Sequence, residues 1–403
     1  SPFLAKKICI YRKNDPRKHI SQPKTSFLKL DFAAMILIDI FTYLYLALLL
    51  LSAIFYVGLV MRMFFAMGKL KQGKDITQPP PSVSVLISAR NEEANLSALL
   101  ESLLKQDYHG DWDIWIANDR STDNTQNILE SYAEKFPEKL HILTITELPP
   151  NTSPKKNAIS QMVAQCSNEL LLLTDADCKL PPTWISGMVK EFEPGIDFVA
   201  GHSYLELPET ANILLYMQAV ETMSYRIAGT AGLALRLPLT STGNNIAYRK
   251  SFFLNVNGFK NVSHIQSGDD DLLMQKAASN PYSMRYCVNP DTFVTTFGKE
   301  TFRELWEQRK RWASKTIYYT PRTLRVLAGI FIFFLCLTFS PLFVLLKFNT
   351  FWFVLLAFIF KICADCFLFK RGLSVFKQEF LFKWFIPVEF LHAPFTVFAV
   401  LFG

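Results

Sequence analysis

Cysteine is sparse: seven occur in 403 residues, without the spacing of a secreted disulfide framework. Cys363-x-x-Cys366 lies inside an apolar run with no second ligand pair, so both read as thiols facing lipid or a neighbouring helix. Neither His nor Cys falls at zinc-ligand spacing. No G-x-G-x-x-G and no G-x-x-x-x-G-K-[ST] is present, which removes the usual support for dinucleotide redox and P-loop chemistry. No cleavable signal peptide is visible, because residues 1–30 are basic and polar and the apolar run after them is too long for one. Charge is also scarce, at 19% of residues against 50% hydrophobic. Basic residues border apolar runs and are not interleaved with exposed aromatics along a groove, which argues against nucleic acid as a partner. The formal charge of +7 suits anionic lipid heads or phosphorylated substrates without choosing between them.

The apolar excess collects at the two ends. Residues 32–60 are long enough to cross a hydrocarbon layer of roughly 30 Å, and 326–346, 351–369 and 384–402 are three further candidates. Pro341 interrupts the first of these three and Pro394 the last. Asp39 lies near one end of the first run, and Lys361 and Asp365 share a helical face where they neutralise each other. Arg62, Lys69, Lys71 and Lys74 follow the first span, Lys315, Arg322 and Arg325 precede the second, and Lys370, Arg371, Lys377 and Lys383 fill the last loop. Positive-inside bias therefore predicts an integral protein of the inner or plasma membrane with its large domain cytoplasmic. The eight Lys and Arg of residues 1–30 oppose a single first span: the arm is atypical, the first run re-enters, or the start lies near Met35. The expected organisation is a basic arm (1–31), one span (32–60), a catalytic domain (61–325) and three spans (326–403).

Between the spans, VSVLISARNEEANLSALLESLLKQ from residue 83 reads as a buried strand, a polar turn and a helix. DWDIWIANDRSTDNTQNILESYA repeats the pattern, and a third unit runs from about 154 through ELLLLTDADC. Alternation of this kind predicts an α/β fold, a mostly parallel three-layer sheet whose ligand crevice lies beyond the strand C-termini. Asn91–Glu93, Asn118–Asp123 and Asp175–Asp177 all fall there.

Asp175-Ala-Asp177 follows the strand LLLLT. A solvated acidic turn would look the same, but two carboxylates at a strand tip also suit one hard cation, Mg²⁺ or Mn²⁺, and through it a diphosphate. Lys155 and Lys156 open a helix, either as surface charge or toward donor phosphate or ribose. GDDDLL at 268–273 opens another helical pattern, and one of its aspartates suits a proton-accepting role. STGNNIAYRK at 241–250 is rich in hydroxyl and amide groups that suit an uncharged polar acceptor. In ELWEQRKRWASK, Arg311 suits phosphate oxygens, Trp312 an apolar sugar face, and Gln308 the orientation of either; positive-inside flanking is the plainer account.

Taken in order, ISARNEE, NDRSTDNT, KKNA, DAD, TGNN, GDDDLL and QRKRW resemble the large inverting family 2 of GT-A-fold glycosyltransferases. The likeness is to its membrane-anchored branch, which includes ceramide glucosyltransferase-like, carotenoid-pathway and polysaccharide-synthase relatives, and it covers about residues 82–315. The resemblance implies Ala89, Glu92 or Glu93 and Asp119 around the nucleotide, Lys156 near the donor, and Asp175 and Asp177 as the D-x-D pair. It further implies Asp270 as general base, with Asp269 or Asp271 as alternatives, and Gln308, Arg311 and Trp312 as the Q-x-x-R-W element. Asn118 departs from the aspartate common at its position, and Ser153-Pro154 from the usual step before the lysines. The implied activity is metal-dependent, inverting transfer of a hexose from a UDP- or GDP-sugar to a lipid or lipid-linked acceptor. A processive polysaccharide synthase, transfer to a carotenoid, sterol or ceramide-like lipid, and a non-catalytic scaffold or transporter are the rivals.

Overall fold

Leu170–Leu173 make an unbroken apolar run because their strand is buried on both faces. Such runs belong to parallel strands sandwiched between helices. The computed structural model describes residues 24–74, 79–278 and 283–403, with side chains from residue 34 onward, so residues 1–23 of the expected basic arm lie outside the described residues. Helix α1 (Lys24–Met67) comes first. Then β1 (Val83–Ala89), α2 (Leu96–Leu104), β2 (Trp112–Asp119), α3 (Thr125–Lys135), β3 (Leu140–Ile145), α4 (Pro154–Gln165) and β4 (Leu170–Asp175) alternate. After α5 (Trp184–Val189) come β5 (Phe198–Ala200), β6 (Ser203–Leu205), α6 (Ile213–Ala234), β7 (Ile246–Arg249), α7 (Lys250–Asn255) and α8 (Asp271–Ala277). The chain continues through β8 (Met284–Tyr286), β9 (Val294–Thr296) and α9 (Phe302–Ser314) to α10 (Pro321–Leu346), α11 (Phe351–Phe376) and α12 (Phe385–Phe402).

Among the described residues the main sheet has seven strands in the order β3-β2-β1-β4-β7-β5-β8. The expected α/β architecture with a mostly parallel sheet is what forms, with β7 antiparallel to both β4 and β5. Strand β7 falls inside the segment read as a polar acceptor turn: Ile246, Ala247 and Tyr248 are buried between two strands instead. Strand β1 has β2 on one side and β4 on the other, the reversal point beyond which a ligand crevice opens. Its register sets Ala89 beside Asn118 and Ser88 beside Asp175.

Period-two alternation sends the strand side chains into two cores. Val85, Ile87 and Leu172 pack with α2 and Trp184. Leu86, Leu171 and Leu173 pack with Ile159 and Met162 of α4, in a cluster continuous with the apolar helices. Among the described residues four helices are long and apolar enough to cross a membrane, at Ala34–Met67, Pro321–Leu346, Phe348–Phe376 and Glu379–Phe402, as expected of an integral membrane protein. Helix α6 joins the two parts. Gly372 of α11 lets it approach, since a Cβ there would meet Ile227 at 2.3 Å.

Neither expected proline break occurs: α10 runs through Pro341 and α12 through Pro394. Pro341 has no N–H for the carbonyl of Leu337, and the Ser340 hydroxyl donates to that carbonyl instead, at 2.8 Å. The expected Lys361–Asp365 pair forms at 2.9 Å, and Glu389 of α12 joins it as a second partner of the fully buried ammonium. Tyr56 of α1 donates to Asp365 at 2.8 Å, so one polar cluster ties three helices. Asp39 pairs with Lys347 at the far end of the bundle.

Lys361→Met leaves two carboxylates buried without a cation, a change expected to cost about 3–5 kcal/mol. The check is the melting temperature in detergent, which should fall sharply and recover in part when Glu389→Gln is added.

Candidate active site

The polar turns after β1 and β2 hold each other in place. Asn91 and Arg120 both adopt φ of 56°, a left-handed conformation that reverses each turn tightly. Thr122 N donates to Asn91 Oδ1 at 2.8 Å, Glu92 N to Thr125 Oγ1 at 2.9 Å, and Asn124 N to the Glu93 carboxylate at 2.8 Å. Glu93 therefore spends its side chain on the neighbouring turn, while Glu92 lines the crevice. Burial, and then the nearby Asp177 and Asp175, raise the Glu92 carboxyl, which an Asn95 amide partly offsets. Asp119 is 2% exposed and paired with Arg120 at 2.7 Å. Ala89 is fully buried at the end of β1, and Asn118 bonds to Gln126 of α3 at 2.5 Å.

Asp175 ends β4 and Asp177 lies two residues past it, both on the wall of a cavity of about 1010 Å³. Burial and then the Asp175 charge raise the Asp177 carboxyl. The adjacent lysines divide their work differently from the sequence reading. Lys156 is 1% exposed and donates to the carbonyls of Val262, Ile265 and Ser267 at 2.8–2.9 Å. Lys155 instead reaches the cavity, 2.6 Å from Asp175 and 2.9 Å from Asp269. Successive residues on a helix point about 100° apart, so only one of the pair faces the site. Gly243 closes over this bridge: a Cβ there would lie 2.9 Å from Asp269 Oδ2.

The three aspartates of GDDDLL separate by environment. Asp271 is taken up from all sides, accepting from Ser241 N (2.6 Å), Ser241 Oγ (3.1 Å) and Tyr319 OH (2.8 Å) and pairing with Lys315 at 2.6 Å. It braces the loop before β7 and has no free lone pair to serve as the alternative base. Asp270 N-caps α8, accepting from Asp271 N at 2.6 Å, and lines the cavity 3.5 Å from Lys315. Burial raises its carboxyl, but the Lys315 ammonium and that amide outweigh burial and hold it below the ordinary value. Lys315, read from sequence as membrane-flanking charge, is buried among these carboxylates and held ionised by them.

Helix α9 begins with a capping box of Thr301 and Glu304. Gln308, Arg311 and Trp312 all line the cavity. Arg311 is exposed there, whereas Gln308 accepts from Arg309 at 2.5 Å. Arg309, which the sequence reading passed over, pairs with Glu221 of α6 at 2.8 Å and lies 4.1 Å from the Trp312 ring. Trp312 is thus clamped between Arg309 and Tyr225. The outer face of α9 is covered by α12, with Trp306 against Phe395 at 5.6 Å.

The two lysines give a direct contrast. Lys156→Met orphans three buried carbonyls and should cost at least about 1–3 kcal/mol of stability, read as a lower melting temperature. Lys155→Met takes the shared cation from Asp175 and Asp269 on the cavity wall, so beyond any loss of melting temperature it should weaken ligand binding in the protein that remains folded.

The family model for glycosyl transferase family 2 matches residues 84–254, and that for glycosyl transferase family group 2 matches residues 170–396, more than half of the chain. A beta-monoglucosyldiacylglycerol synthase of Synechocystis sp. is 27% identical over 251 residues, which cover 60% of this chain and 50% of the relative. A poly-beta-1,6-N-acetyl-D-glucosamine synthase of Staphylococcus epidermidis is 25% identical over 244 residues, covering 59% of this chain and 55% of the relative. The chain spans about half the length of these curated relatives. A mannosyltransferase from Pyrobaculum calidifontis, solved in complex with GDP-Man and Mn²⁺, superposes with a TM-score of 0.55 at 18% identity. That match covers 89% of this chain and 99% of the mannosyltransferase, and at such identity it speaks for a common fold. With one family model matching residues 170–396, from the D-x-D strand through most of the C-terminal apolar helices, the chain belongs to glycosyl transferase family group 2.

Proposed function

We propose that this chain transfers a hexose from a UDP- or GDP-sugar to a membrane lipid or lipid-linked acceptor, with inversion, in the synthesis of cell-envelope glycans or glycolipids. The observation that carries the reading is one cavity lined by both the sheet domain and the apolar helices. Its wall includes Asp175, Asp177 and Asp270 together with Met63, Phe331 and Phe369 of the apolar helices. An aqueous sugar donor and an acceptor with an apolar body meet in such a space. The basic flanks of the spans favour a cytoplasmic catalytic domain over about 61–325, in the inner or plasma membrane.

A divalent cation fits the D-x-D pair. Asp175 and Asp177 offer hard oxygens, and the burial and mutual repulsion that raise Asp177 are relieved by a bound Mg²⁺ or Mn²⁺. When bound, the ion supplies positive charge against the departing nucleoside diphosphate. Support comes from the Pyrobaculum mannosyltransferase, whose own structure holds Mn²⁺ with GDP-Man. Glu92 borders the nucleotide side of the cavity, backed by buried Ala89 and Asp119, with Glu93 holding their loop. Lys155 takes the donor-side role that the resemblance gave to Lys156. Asp270, ionised beside Lys315, accepts the proton of the acceptor hydroxyl as it attacks the anomeric carbon. Arg311 offsets phosphate charge and Trp312, braced by Arg309, offers its ring to the sugar. A processive synthase is the second reading, favoured by the likeness to the Staphylococcus polymer synthase and by the cavity's reach into the helices.

The test is nucleoside diphosphate release by the purified protein in the presence of membrane lipids. Asp270→Asn should lower kcat by about 10²–10⁴ while the protein stays folded. Asp271→Asn should lower the melting temperature as well. Chelation should abolish release, and Mn²⁺ or Mg²⁺ should restore it. Full turnover by Asp270→Asn, or turnover untouched by chelation, contradicts the assignment.

A further inference from the structure

Buried and half-buried cations on the cavity wall come with carboxylates: Lys155 with Asp175 and Asp269, Lys315 with Asp270 and Asp271, and Arg309 with Glu221. Arg226 of α6 departs from the pattern. It lines the same cavity and is 8% exposed, yet among the described residues it forms no ion pair. Its guanidinium donates to Ser203 Oγ at 3.2 Å and weakly to the carbonyl of Ser241 at 3.4 Å, and Nε has no acceptor at all. The carboxylates whose charge reaches it are Asp270 and Asp271, both already engaged by Lys315.

A guanidinium stays charged at any working pH, and burying it without a counter-charge is costly. Such a group persists where a ligand supplies the missing anion. The position tells which ligand. On the reading above, the donor diphosphate is already provided for by the cation at Asp175 and Asp177 and by exposed Arg311. Arg226 sits beside Ser241, which braces Asp271, and one residue before Ile227, which packs on Gly372 of α11. It therefore stands on the wall between the aspartates and the apolar helices, where an acceptor's head group passes into its tail.

We propose that Arg226 seats a phosphate carried by the acceptor, so that the acceptor class is a lipid phosphate or phosphodiester whose hydroxyl or phosphate oxygen faces Asp270. This rests on the lipid-acceptor reading above. The planar fork of an arginine matches two phosphate oxygens, and the unpartnered Nε provides one of the two donors.

The test uses the full chain in nanodiscs of neutral lipid, with decyl phosphate, decanol, inorganic phosphate and UDP as probes. Decyl phosphate should bind wild type and raise its melting temperature. Arg226→Met should weaken that binding about tenfold or more, with Arg226→Lys in between. Decanol and UDP should bind the variants and wild type alike. In the absence of any probe, Arg226→Met should melt no lower than wild type, because it removes an unpaired buried charge. A lower melting temperature without ligand would make Arg226 a structural counter-ion and overturn the proposal. So would equal binding of decyl phosphate to both proteins, a matching loss of UDP affinity, or inorganic phosphate binding as tightly as decyl phosphate. The acceptor reading fails separately: if no glycolipid forms while decyl phosphate still depends on Arg226, the anion seat stands and the reaction assignment falls.

Discussion

Charge crowding on one cavity wall organises the protein. Asp175, Asp177, Asp269, Asp270 and Asp271 come from two distant stretches of chain and meet on or behind one surface. Like charges at such range repel strongly in a partly buried setting. Two lysines make the arrangement tolerable. Lys155 bridges the D-x-D turn to Asp269, and Lys315 bridges Asp270 to Asp271. Each lysine thereby fixes a loop relative to the sheet. The aspartates nevertheless keep different tasks, because Asp271 is surrounded by donors and Asp270 is left with an open side.

The same wall links the sheet domain to the apolar helices. Lys315 follows directly on α9, and α9 is fastened inward to α6 by Arg309–Glu221 and outward to α12 by Trp306. Helix α6 packs on α11 at Gly372, and His202 stacks on Phe376 at 4.0 Å. Tilting the helix bundle would therefore shift α9, and with it Arg311, Trp312 and Lys315. Proposed donor chemistry and acceptor access share one rigid frame, which suits an enzyme that works at the membrane surface.

Much of this was legible in the sequence, and the failures are local in kind. Strands β1, β2 and β4 announce themselves as apolar runs ending in acidic turns, so the crevice and its acidic lining follow from pattern alone. The choice between Lys155 and Lys156 does not, because a one-residue rotation on α4 depends on where the 262–267 carbonyls lie. Glu389 as a partner of Lys361 is equally invisible, since it joins helices through a contact 28 residues apart. Strand β7 is four residues long and antiparallel, and its polar leading turn masked it. Pro341 read as a break because the compensating Ser340 hydroxyl counts only once the helix is built. Arg226 carried no sequence signal: its lack of a counter-ion is a fact of the folded cavity.

The mass of the lipid product tests the central claim most directly. The purified protein, with Mn²⁺ or Mg²⁺, is incubated with a panel of nucleotide sugars and native membrane lipids. The account predicts one lipid heavier by a single hexose, formed from one donor only. A ladder of repeating masses would point to a polymerase, and the absence of any glycosylated lipid with every donor would contradict the account.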